Sequence, residues 1–249
     1  MTADDVSGTA PGRTAAIVPA AGRGERLGPG GPKALRELGG VPMLVHAVRA
    51  LAGARSIDLV VVAAPPDEVA GVSALLRGLD EETEVWVVPG GEHRQDSVGA
   101  ALRALPPDVD VVLVHDAARP LVPVTLVDAV AAAVRAGSDA VVPGIAVADT
   151  TKQVDEAGRV EATLDRSRLR AIQTPQGFRR SVLEAAHANA TGRASEVRVV
   201  TDDAGLVEAY GTTVMVVSGH EDAFKVTRPI DLLLAEAVLA RRRAAGVHA

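Results

Sequence analysis

The stretch TAAIVPAAGRGERLGPGGPK at residues 14–33 joins a short apolar run to a loop rich in glycine and other small residues. The run TAAIVP does not alternate with polar residues, which is typical of a strand buried on both faces of a sheet. Small residues directly after such a strand let backbone amides approach a phosphate closely. The stretch therefore predicts a first β-strand followed by a phosphate-binding loop, with an ordinary solvated surface loop as the alternative.

The spacing of the glycines excludes two common phosphate-binding motifs. Gly22, Gly24 and Gly28 give G-x-G-x-x-x-G rather than the G-x-G-x-x-G of dinucleotide-binding folds, and no G-K-[ST] of a P-loop follows. The loop instead contains two cations, Arg26 and Lys33. Because a nucleoside triphosphate carries several negative charges, it calls for cations as well as amides. The loop therefore favours a nucleotide substrate.

Apolar runs rich in β-branched residues recur along the chain, at 57–64, 83–89, 109–115, 139–145 and 212–219. Segments with helical spacing lie between or after them, at 43–51, 68–79, 97–105, 124–136 and 229–244. Strands that alternate with helices indicate a parallel sheet with right-handed crossovers. We therefore predict an α/β fold with a Rossmann-like, mostly parallel sheet and helices on both of its faces.

The segment VADTTKQVDEAGRVEAT at 147–163 interrupts this alternation. Its alternating character around residues 155–158, with Gly158 for a positive φ angle, is typical of a β-hairpin. An isolated two-stranded hairpin is marginally stable by itself. We therefore expect an inserted β-hairpin arm at about residues 147–168 that packs against a second copy of the chain.

Composition narrows the class of protein further. The 249 residues carry a formal net charge of −6, 47% hydrophobic residues and no cysteine, which excludes a mainly disordered chain, a disulfide framework and a thiol nucleophile. The acidic balance and the four aromatic residues argue against nucleic-acid binding, and no apolar run is long enough to span a membrane. We expect a cytoplasmic protein with no nucleic-acid or membrane partner, made of a disordered leader at 1–13 and a single domain at 14–244. The terminal arginines 241–243 are interpreted as the solvated last turn of a helix.

Six short blocks give the chain a resemblance to a known family. They are PAAGRGERL…PK (19–33), GGEHRQDSV (90–98), VLVHDAARP (112–120), QTPQGF (173–178), TDDAGLVE (201–208) and FKVTRP (224–229). In this order they closely resemble the 2-C-methyl-D-erythritol 4-phosphate cytidylyltransferase family, across about residues 14–242. The resemblance implies the nucleotide-diphospho-sugar transferase-like fold of polyol-phosphate cytidylyltransferases. It also implies that CTP and 2-C-methyl-D-erythritol 4-phosphate react to give CDP-methylerythritol and pyrophosphate, a step of the non-mevalonate isoprenoid precursor pathway.

The resemblance assigns residues to the nucleotide side of a site. Arg26 and Lys33 are expected to be catalytic, because they would stabilise the phosphoryl transition state and the departing pyrophosphate. In the family the block at 90–98 holds the cytosine. Contacts to the nucleotide are therefore expected from the first loop and from this cytosine-binding block, at Ala20, Ala21, Gly22, Gly24, Gly91, Glu92 and Ser97. Many members of the family have Asp where this chain has Glu92, so we expect that contact from the backbone.

Asp116 follows the most apolar run, at the carboxyl end of a predicted strand, where ligands bind in open α/β sheets. A carboxylate that faces a triphosphate repels it unless a divalent cation lies between them, and Mg²⁺ is usually held by a carboxylate plus substrate phosphates. We therefore expect Asp116 to be a ligand of Mg²⁺ or another divalent cation and to bind substrate. Alternatively, Asp116 caps the following helix or forms an ion pair with Arg119. The resemblance makes Arg119 itself a substrate-binding residue.

The resemblance places the acceptor-binding residues partly on a second chain. Thr150 and Arg166 flank the arm and match a Thr and an Arg that reach the acceptor phosphate across a homodimer in the family. Arg166 and Lys225 are expected to be catalytic by positioning the attacking phosphate, although Lys225 could contact the α-phosphate instead. Thr174 and Thr201 are expected on the substrate side, and Thr201 is explained equally well as a helix N-cap.

Two other functions remain open at this point. Ribitol 5-phosphate cytidylyltransferase shares the fold and most of these motifs. A catalytically silent nucleotide-binding regulatory domain would also keep the fold, although the intact Arg26, Lys33, Asp116 and Lys225 argue against it. The expected nucleophile is a phosphate oxygen that is already ionised at neutral pH, so the reaction needs no general base.

Overall fold

A β-sheet of eight strands forms the centre of the computed structural model, which describes residues 12–22, 33–79, 82–192 (191 and 192 by backbone only) and 201–246. The strands are β1 (Arg13–Pro19), β2 (Glu37–Leu38), β3 (Val41–Pro42), β4 (Leu59–Ala64), β5 (Glu84–Pro89), β6 (Val109–Val114), β7 (Ala140–Ala146), β8 (Lys152–Val154), β9 (Val160–Thr163), β10 (Arg170–Ile172), β11 (Gln176–Arg179) and β12 (Val214–Ser218). The central sheet has the order β10-β7-β11-β6-β1-β4-β5, and β12 also pairs with β7. β2 pairs with β3, and β8 pairs with β9, in two small separate sheets.

The sheet is mostly parallel, as predicted. β1 pairs in parallel with β4 and β6, β4 with β5, and β12 with β7. Two strands are exceptions: β10 pairs antiparallel with β7 at one edge of the sheet, and β11 runs antiparallel between β6 and β7. The sequence did not predict β11, and Gly177 at its second position shows why: a Cβ there would lie 2.7 Å from Cγ1 of Val130. The close approach requires glycine, which weakens the strand signal.

Helices cover both faces of the sheet. They are α1 (Met43–Ala52), α2 (Val69–Leu76), α3 (Arg94–Ala104), α4 (Val124–Arg135), α5 (Arg180–Gly192), α6 (Asp203–Tyr210) and α7 (Pro229–Ala244). Successive residues of β1 face opposite cores. Ala16 and Val18 pack in the cluster that includes α1, α2 and α4, whereas Ala15 and Ile17 pack in the cluster that includes α3, α5 and α6. A strand covered in this way needs an apolar residue at every position, which explains the lack of alternation in TAAIVP.

Several predicted boundaries are corrected. The leader cannot extend to Arg13, which already belongs to β1 and forms an ion pair with Glu84; residues 1–11 lie outside the described residues. α3 begins at Arg94 rather than at Ser97. The N-cap of α6 is Asp202, whose carboxylate accepts a hydrogen bond from the Gly205 amide, and not Thr201.

The predicted hairpin is present as β8 and β9. Its turn contains Gly158 at φ +78°, as expected, and the Asp155 carboxylate accepts hydrogen bonds from the amides of Ala157 and Arg159. All the side chains of β8 and β9 are exposed. The arm is therefore held by its own local contacts rather than by packing on this chain.

The terminal helix α7 begins at Pro229, as predicted, and packs in a third apolar cluster. Ala235, Val238 and Leu239 of α7 meet Met43 and Leu121 there. Within the described part of the chain, no helix combines the length and the apolar character that a bilayer crossing requires.

Candidate active site

A pocket of about 190 Å³ lies at the carboxyl ends of β1 and β6. Its described lining consists of the segments after these two strands, the start of α3 and the loop before α7: Pro19, Ala20, Ala21, Gly22, Lys33, Ala34, Arg94, Ser97, Asp116, Ala117, Ala118 and Lys225. This is the edge of an open α/β sheet at which ligands bind. Three larger clefts lie elsewhere, one beside Asp110 and Arg135, one between α3 and α5, and one beside Leu76 and Val85, but none of them is formed by the carboxyl ends of the parallel strands.

The structure brings seven of the predicted site residues together in this pocket: Ala20, Ala21, Gly22, Lys33, Ser97, Asp116 and Lys225. Gly24 and Arg26 lie outside the described residues, so nothing is added to their predicted roles. Glu92, Thr150, Arg166 and Thr201 are exposed and do not line the pocket. Gly91, Arg119 and Thr174 lie behind it and contact residues that do.

Asp116 is the buried anion of the pocket, with 13% of its side chain exposed. Its Oδ2 accepts a hydrogen bond from Lys225 Nζ at 2.7 Å, and its Oδ1 accepts one from Arg94 Nε at 3.2 Å. Burial raises the pKa of Asp116, but the charges of Arg94 and Lys225 outweigh burial and hold this pKa well below its usual range. The carboxylate is therefore ionised at neutral pH. The suggested ion pair of Asp116 with Arg119 is replaced by these two contacts.

Arg94 is a residue of the pocket that the sequence did not single out. Besides Asp116 it contacts Asp203, whose Oδ2 lies 2.5 Å from Arg94 Nη1, and His187 Nε2 lies 3.0 Å from the other oxygen of Asp203. Asp203 is fully buried. Burial raises the pKa of Asp203, but His187 and Arg94 lower it by more, so this pKa lies below its usual value. Asp116 and Asp203 are 22 and 109 residues from Arg94, so no local pattern could have revealed this role.

His115 orients the backbone of Asp116 through a chain of hydrogen bonds. It is fully buried, and burial lowers its pKa to about 4, so it is neutral. Its Nε2 donates to the Arg119 carbonyl, which can only accept, so Nδ1 accepts from the Thr174 hydroxyl. The Thr174 oxygen in turn accepts from the Asp116 amide at 3.0 Å. In this structure Thr174 orients Asp116, and its substrate contact stays a prediction.

Arg119 joins the pocket to two neighbouring segments. Its guanidinium donates to the Ala223 carbonyl at 2.7 Å and to the Ile172 carbonyl at 3.2 Å. Burial lowers the pKa of Arg119, and the charge of Asp116 opposes this effect. Arg119 Nε has no hydrogen-bond partner among the described residues. The residue therefore holds the loop that carries Lys225, and its predicted contact with substrate stays a prediction.

The segment at 90–98, in which the resemblance predicts contacts with cytosine, is packed tightly against the residues after β1. A Cβ on Gly90 would lie 2.7 Å from Cβ of Ala21 and 2.9 Å from the Ser97 hydroxyl, so only glycine fits. Ser97 Oγ accepts from the Gly91 amide at 3.1 Å and lies 3.1 Å from the His93 carbonyl, to which it donates. Ser97 thus shapes the loop as well as lining the pocket.

The described residues of the pocket do not form a metal site by themselves. Asp116 is the one carboxylate in its described lining, and the described residues include no cluster of three or more His, Asp or Glu side chains that could hold a metal. Both oxygens of Asp116 already accept hydrogen bonds from cations. This donor set fits a Mg²⁺ ion bound mainly by substrate phosphates and water, with Asp116 as a ligand only if Arg94 or Lys225 releases one oxygen.

The chemistry that suits this pocket is the transfer of a group between phosphates. Three cations, Lys33, Arg94 and Lys225, line the pocket together with one ionised carboxylate, Asp116, and such an arrangement stabilises charge without supplying an acid or a base. His115, which lies directly behind Asp116, is held neutral by burial. The fold and the pocket therefore define a nucleotidyltransferase.

Comparison with known proteins gives the particular family. The sequence model of the family described as 2-C-methyl-D-erythritol 4-phosphate cytidylyltransferase matches residues 14–241, and the chain belongs to this family. A relative of that name from Streptomyces coelicolor is 60% identical over 245 residues, which cover 95% of this chain and 88% of the relative. The family and the fold class predicted from the sequence are confirmed.

Solved structures agree with this assignment. The 4-diphosphocytidyl-2C-methyl-D-erythritol synthase of Anaerococcus prevotii has a TM-score of 0.80 and 29% identity, with 93% of this chain and 100% of that one covered. The 2-C-methyl-D-erythritol 4-phosphate cytidylyltransferase of Thermus thermophilus has a TM-score of 0.72 and 37% identity, with 92% and 99% covered.

Proposed function

We propose that this chain transfers the cytidylyl group of CTP to 2-C-methyl-D-erythritol 4-phosphate, a reaction of isoprenoid precursor biosynthesis. The observation that carries the proposal is the Arg94–Asp116–Lys225 arrangement at the carboxyl end of β6, in a chain whose family match extends over residues 14–241. The relatives named above bear the name of the methylerythritol enzyme, which favours this acceptor over ribitol 5-phosphate.

The reaction needs alignment and charge stabilisation rather than proton transfer. An oxygen of the acceptor phosphate attacks the α-phosphorus of CTP, and the bond from that phosphorus to the bridging oxygen of the β-phosphate breaks. Pyrophosphate leaves with the electron pair, so no proton moves at neutral pH. Two anions must be brought together, and cations in a preorganised pocket lower the cost of doing so.

Each cation has a place in this scheme. Lys33, at the end of the first loop, stabilises the triphosphate and the departing pyrophosphate, together with Arg26. Lys225 positions the acceptor phosphate, and it can turn to a phosphate because its side chain is 38% exposed. Asp116 positions Lys225 through a direct hydrogen bond, and Arg94 positions Asp116 by joining it to Asp203.

We propose Mg²⁺ as the cofactor. Bound with the nucleotide, it would neutralise part of the charge of the triphosphate and of the leaving pyrophosphate. The support is the donor set described above, in which a single carboxylate faces the pocket. The predicted contacts of Ala20, Ala21, Gly22, Gly24, Gly91 and Glu92 with the nucleotide complete the site on its other side.

We also propose that the chain works as a homodimer in which the arm serves the partner's pocket. Arg166 donates to the Ala148 carbonyl of its own chain, and neither Arg166 nor Thr150 lines the described pocket. Both are exposed, which supports a contact with the acceptor phosphate of a second chain.

Exposed apolar surface on the arm and at its base supports this dimer. Val154 and Val160 on the arm are 52% and 59% exposed. Ile172 and Val216 are also partly exposed, and they lie on one face of the sheet edge beside Gly144. Such surface is covered in many proteins by a second copy. The absence of cysteine fits a cytoplasmic location, which we propose as well.

A paired pyrophosphate-release assay tests the function. The chain is incubated with CTP, Mg²⁺ and either 2-C-methyl-D-erythritol 4-phosphate or ribitol 5-phosphate. We expect release with the first acceptor and a far smaller kcat/KM with the second. The reverse preference would make the chain a ribitol phosphate enzyme, and no release with either acceptor, from protein that binds CTP, would make it a silent nucleotide-binding domain.

A further inference from the structure

Arginines in the last turn of α7 contact the active-site loops. The sequence had predicted that this turn would be solvated. Arg241 Nη2 donates to Asp222 at 2.9 Å and 3.2 Å, and Arg242 Nη2 donates to Asp222 at 2.8 Å. Arg242 is well covered, with 15% of its side chain exposed, whereas Arg241 is 67% exposed. Burial raises the pKa of Asp222, but Arg242 and Arg241 lower it further than burial raises it, so the carboxylate stays ionised.

Asp222 lies three residues before Lys225, in the loop that brings Lys225 to Asp116. The contacts that fix this loop include the ion pairs of Asp222, the hydrogen bond from Arg119 to the Ala223 carbonyl, and the one from the Val226 amide to the Ala118 carbonyl at 2.8 Å. The last two come from the segment after β6, whereas the first comes from the opposite end of the chain.

Arg242 also reaches the segment after β6. Its Nη2 donates to the Leu121 carbonyl at 2.7 Å, and Leu121 follows the His115–Pro120 segment that carries Asp116. One guanidinium group therefore joins the two loops whose side chains, Asp116 and Lys225, meet in the pocket.

We propose that Arg242 is a positioning residue of the active site, which acts through Asp222 and the Leu121 carbonyl to hold Lys225 in register with Asp116. The part of this proposal that concerns turnover rests on the proposed function. The part that concerns the placement of Lys225 does not, because it follows from contacts within the chain.

The attachment of α7 itself does not depend on Arg242. Ala235, Val238 and Leu239 anchor the helix in its apolar cluster. Replacement of Arg242 should therefore loosen the loop rather than release the helix. Arg243, the next residue, is exposed and its side chain forms no hydrogen bond or ion pair with the other described residues, so Arg243→Gln is a matched control.

Lysine reactivity gives a direct test, because the chain has only three lysines, Lys33, Lys152 and Lys225. Folded protein is treated with a trace of acetic anhydride, and peptide mass spectrometry measures the acetylation of Lys225 relative to Lys152 on the exposed arm. We expect the ratio to rise several-fold in Arg242→Gln and in Asp222→Asn, because Lys225 leaves its contact with Asp116 more often. We expect no change in Arg243→Gln.

Kinetics in the same variants test the effect on turnover. Small displacements of a positioning group cost up to about a hundredfold in rate, so we expect kcat/KM to fall about tenfold or more in Arg242→Gln and Asp222→Asn, with melting temperatures close to that of Arg243→Gln. The double variant should lose no more than the worse single variant, since both changes break one contact. Arg242→Lys should recover part of the loss.

The outcomes separate the two proposals. An unchanged acetylation ratio, an equal rise in Arg243→Gln, or a raised ratio with unchanged kcat/KM would each overturn the role of Arg242. If the wild-type chain releases no pyrophosphate but the ratio still rises in the two variants, the proposed function fails and the placement of Lys225 by Arg242 stands.

Discussion

The pocket at the carboxyl ends of β1 and β6 and the hairpin arm of β8 and β9 hold their charged groups in different ways. In the pocket, the partners come from distant parts of the chain: Lys225 and Asp116 are 109 residues apart, as are Arg94 and Asp203. In the arm they are neighbours, such as Asp155 and Arg159, or face each other across the hairpin, such as Lys152 and Thr163. The pocket contacts are mostly covered and the arm contacts are exposed.

This difference indicates which parts of the site a single chain can complete. Long-range, covered contacts fix the pocket within one chain, because each partner is held by the core behind it. Local, exposed contacts keep the shape of the arm but leave its position free of any packing within the chain. The pocket, including Lys33 and Lys225, should therefore be preorganised in a monomer, whereas the proposed contribution of Thr150 and Arg166 to the acceptor phosphate should need a second copy.

The strongest way to break the pocket is Lys33→Ala. Loss of one charged donor to the transition state costs about a hundred- to a thousandfold in turnover, and we expect a decrease of this size in kcat by the pyrophosphate-release assay. Lys152→Ala, on the exposed arm, is the matched control and should keep kcat near the wild-type value. Near-normal kcat in Lys33→Ala would remove this lysine from the mechanism.

Acid should weaken the pocket through His115. The folded chain keeps this histidine neutral down to about pH 4, whereas in the unfolded chain it takes up its proton near the usual value of 6.5. The contribution of this group to the free energy of unfolding is therefore complete above pH 6.5. It decreases by about 3 kcal/mol as the pH drops towards 4. Urea unfolding at pH 7 and pH 4.5 measures the loss.

The control for that experiment is the pH dependence of two variants. His115→Asn should have a lower free energy of unfolding at neutral pH. Its stability should then decrease less than that of the wild type between pH 7 and pH 4.5, because His115 no longer contributes. His93→Asn, at an exposed position, should keep the wild-type slope. Equal slopes in all three proteins would mean that folding does not lower the pKa of His115.

Mixed dimers sharpen the comparison between pocket and arm. Lys225→Ala and Arg166→Ala should each be inactive, and refolding an equal mixture should restore activity at about one site in four, because two-fold symmetry pairs intact Lys225 of one chain with intact Arg166 of the other. The measurement is pyrophosphate release before and after joint refolding. Verified mixed dimers that stay inactive, or an active protein that sediments as a monomer, would return Arg166 to the role of a surface arginine.

The smallest effect is expected from the local contacts of the arm. Arg159 is 81% exposed in its ion pair with Asp155, and exposed pairs contribute little to stability. Arg159→Ala should leave the melting temperature within about 2 °C of the wild type and the sedimentation coefficient unchanged. A large decrease would show that the arm is held more firmly than its exposure indicates.

Sequence predicted the parts of the molecule that depend on neighbours along the chain. The run TAAIVP indicated a doubly covered strand because each of its side chains must be apolar, and Gly158 indicated a turn because it needs a positive φ angle. Asp116 was found because it directly follows an apolar strand. The family resemblance brought in Lys225, whose own surroundings in the sequence carry little signal.

The missed features depend on contacts between distant residues. Arg94 was overlooked because nothing near it in the sequence shows that it joins Asp116 to Asp203. The terminal arginines were interpreted as solvated because a helix end favours positive charge anyway, which hid the contact of Arg242 with Asp222. The strand β11 was missed because α4 packs so closely on it that Gly177 is required there, and a glycine weakens the strand pattern.

The close approach of Gly90 to Ala21 also limits how the base preference of this chain could be re-engineered. A side chain at position 90 would push the segment after β5 away from Ala21 in the segment after β1, so any substitution there would change the width of the pocket whatever its chemistry. Glu92 and His93 are exposed in the same segment and do not line the described pocket, so substitutions there leave this close approach unchanged. A library aimed at a purine or uracil nucleotide should therefore hold Gly90 fixed.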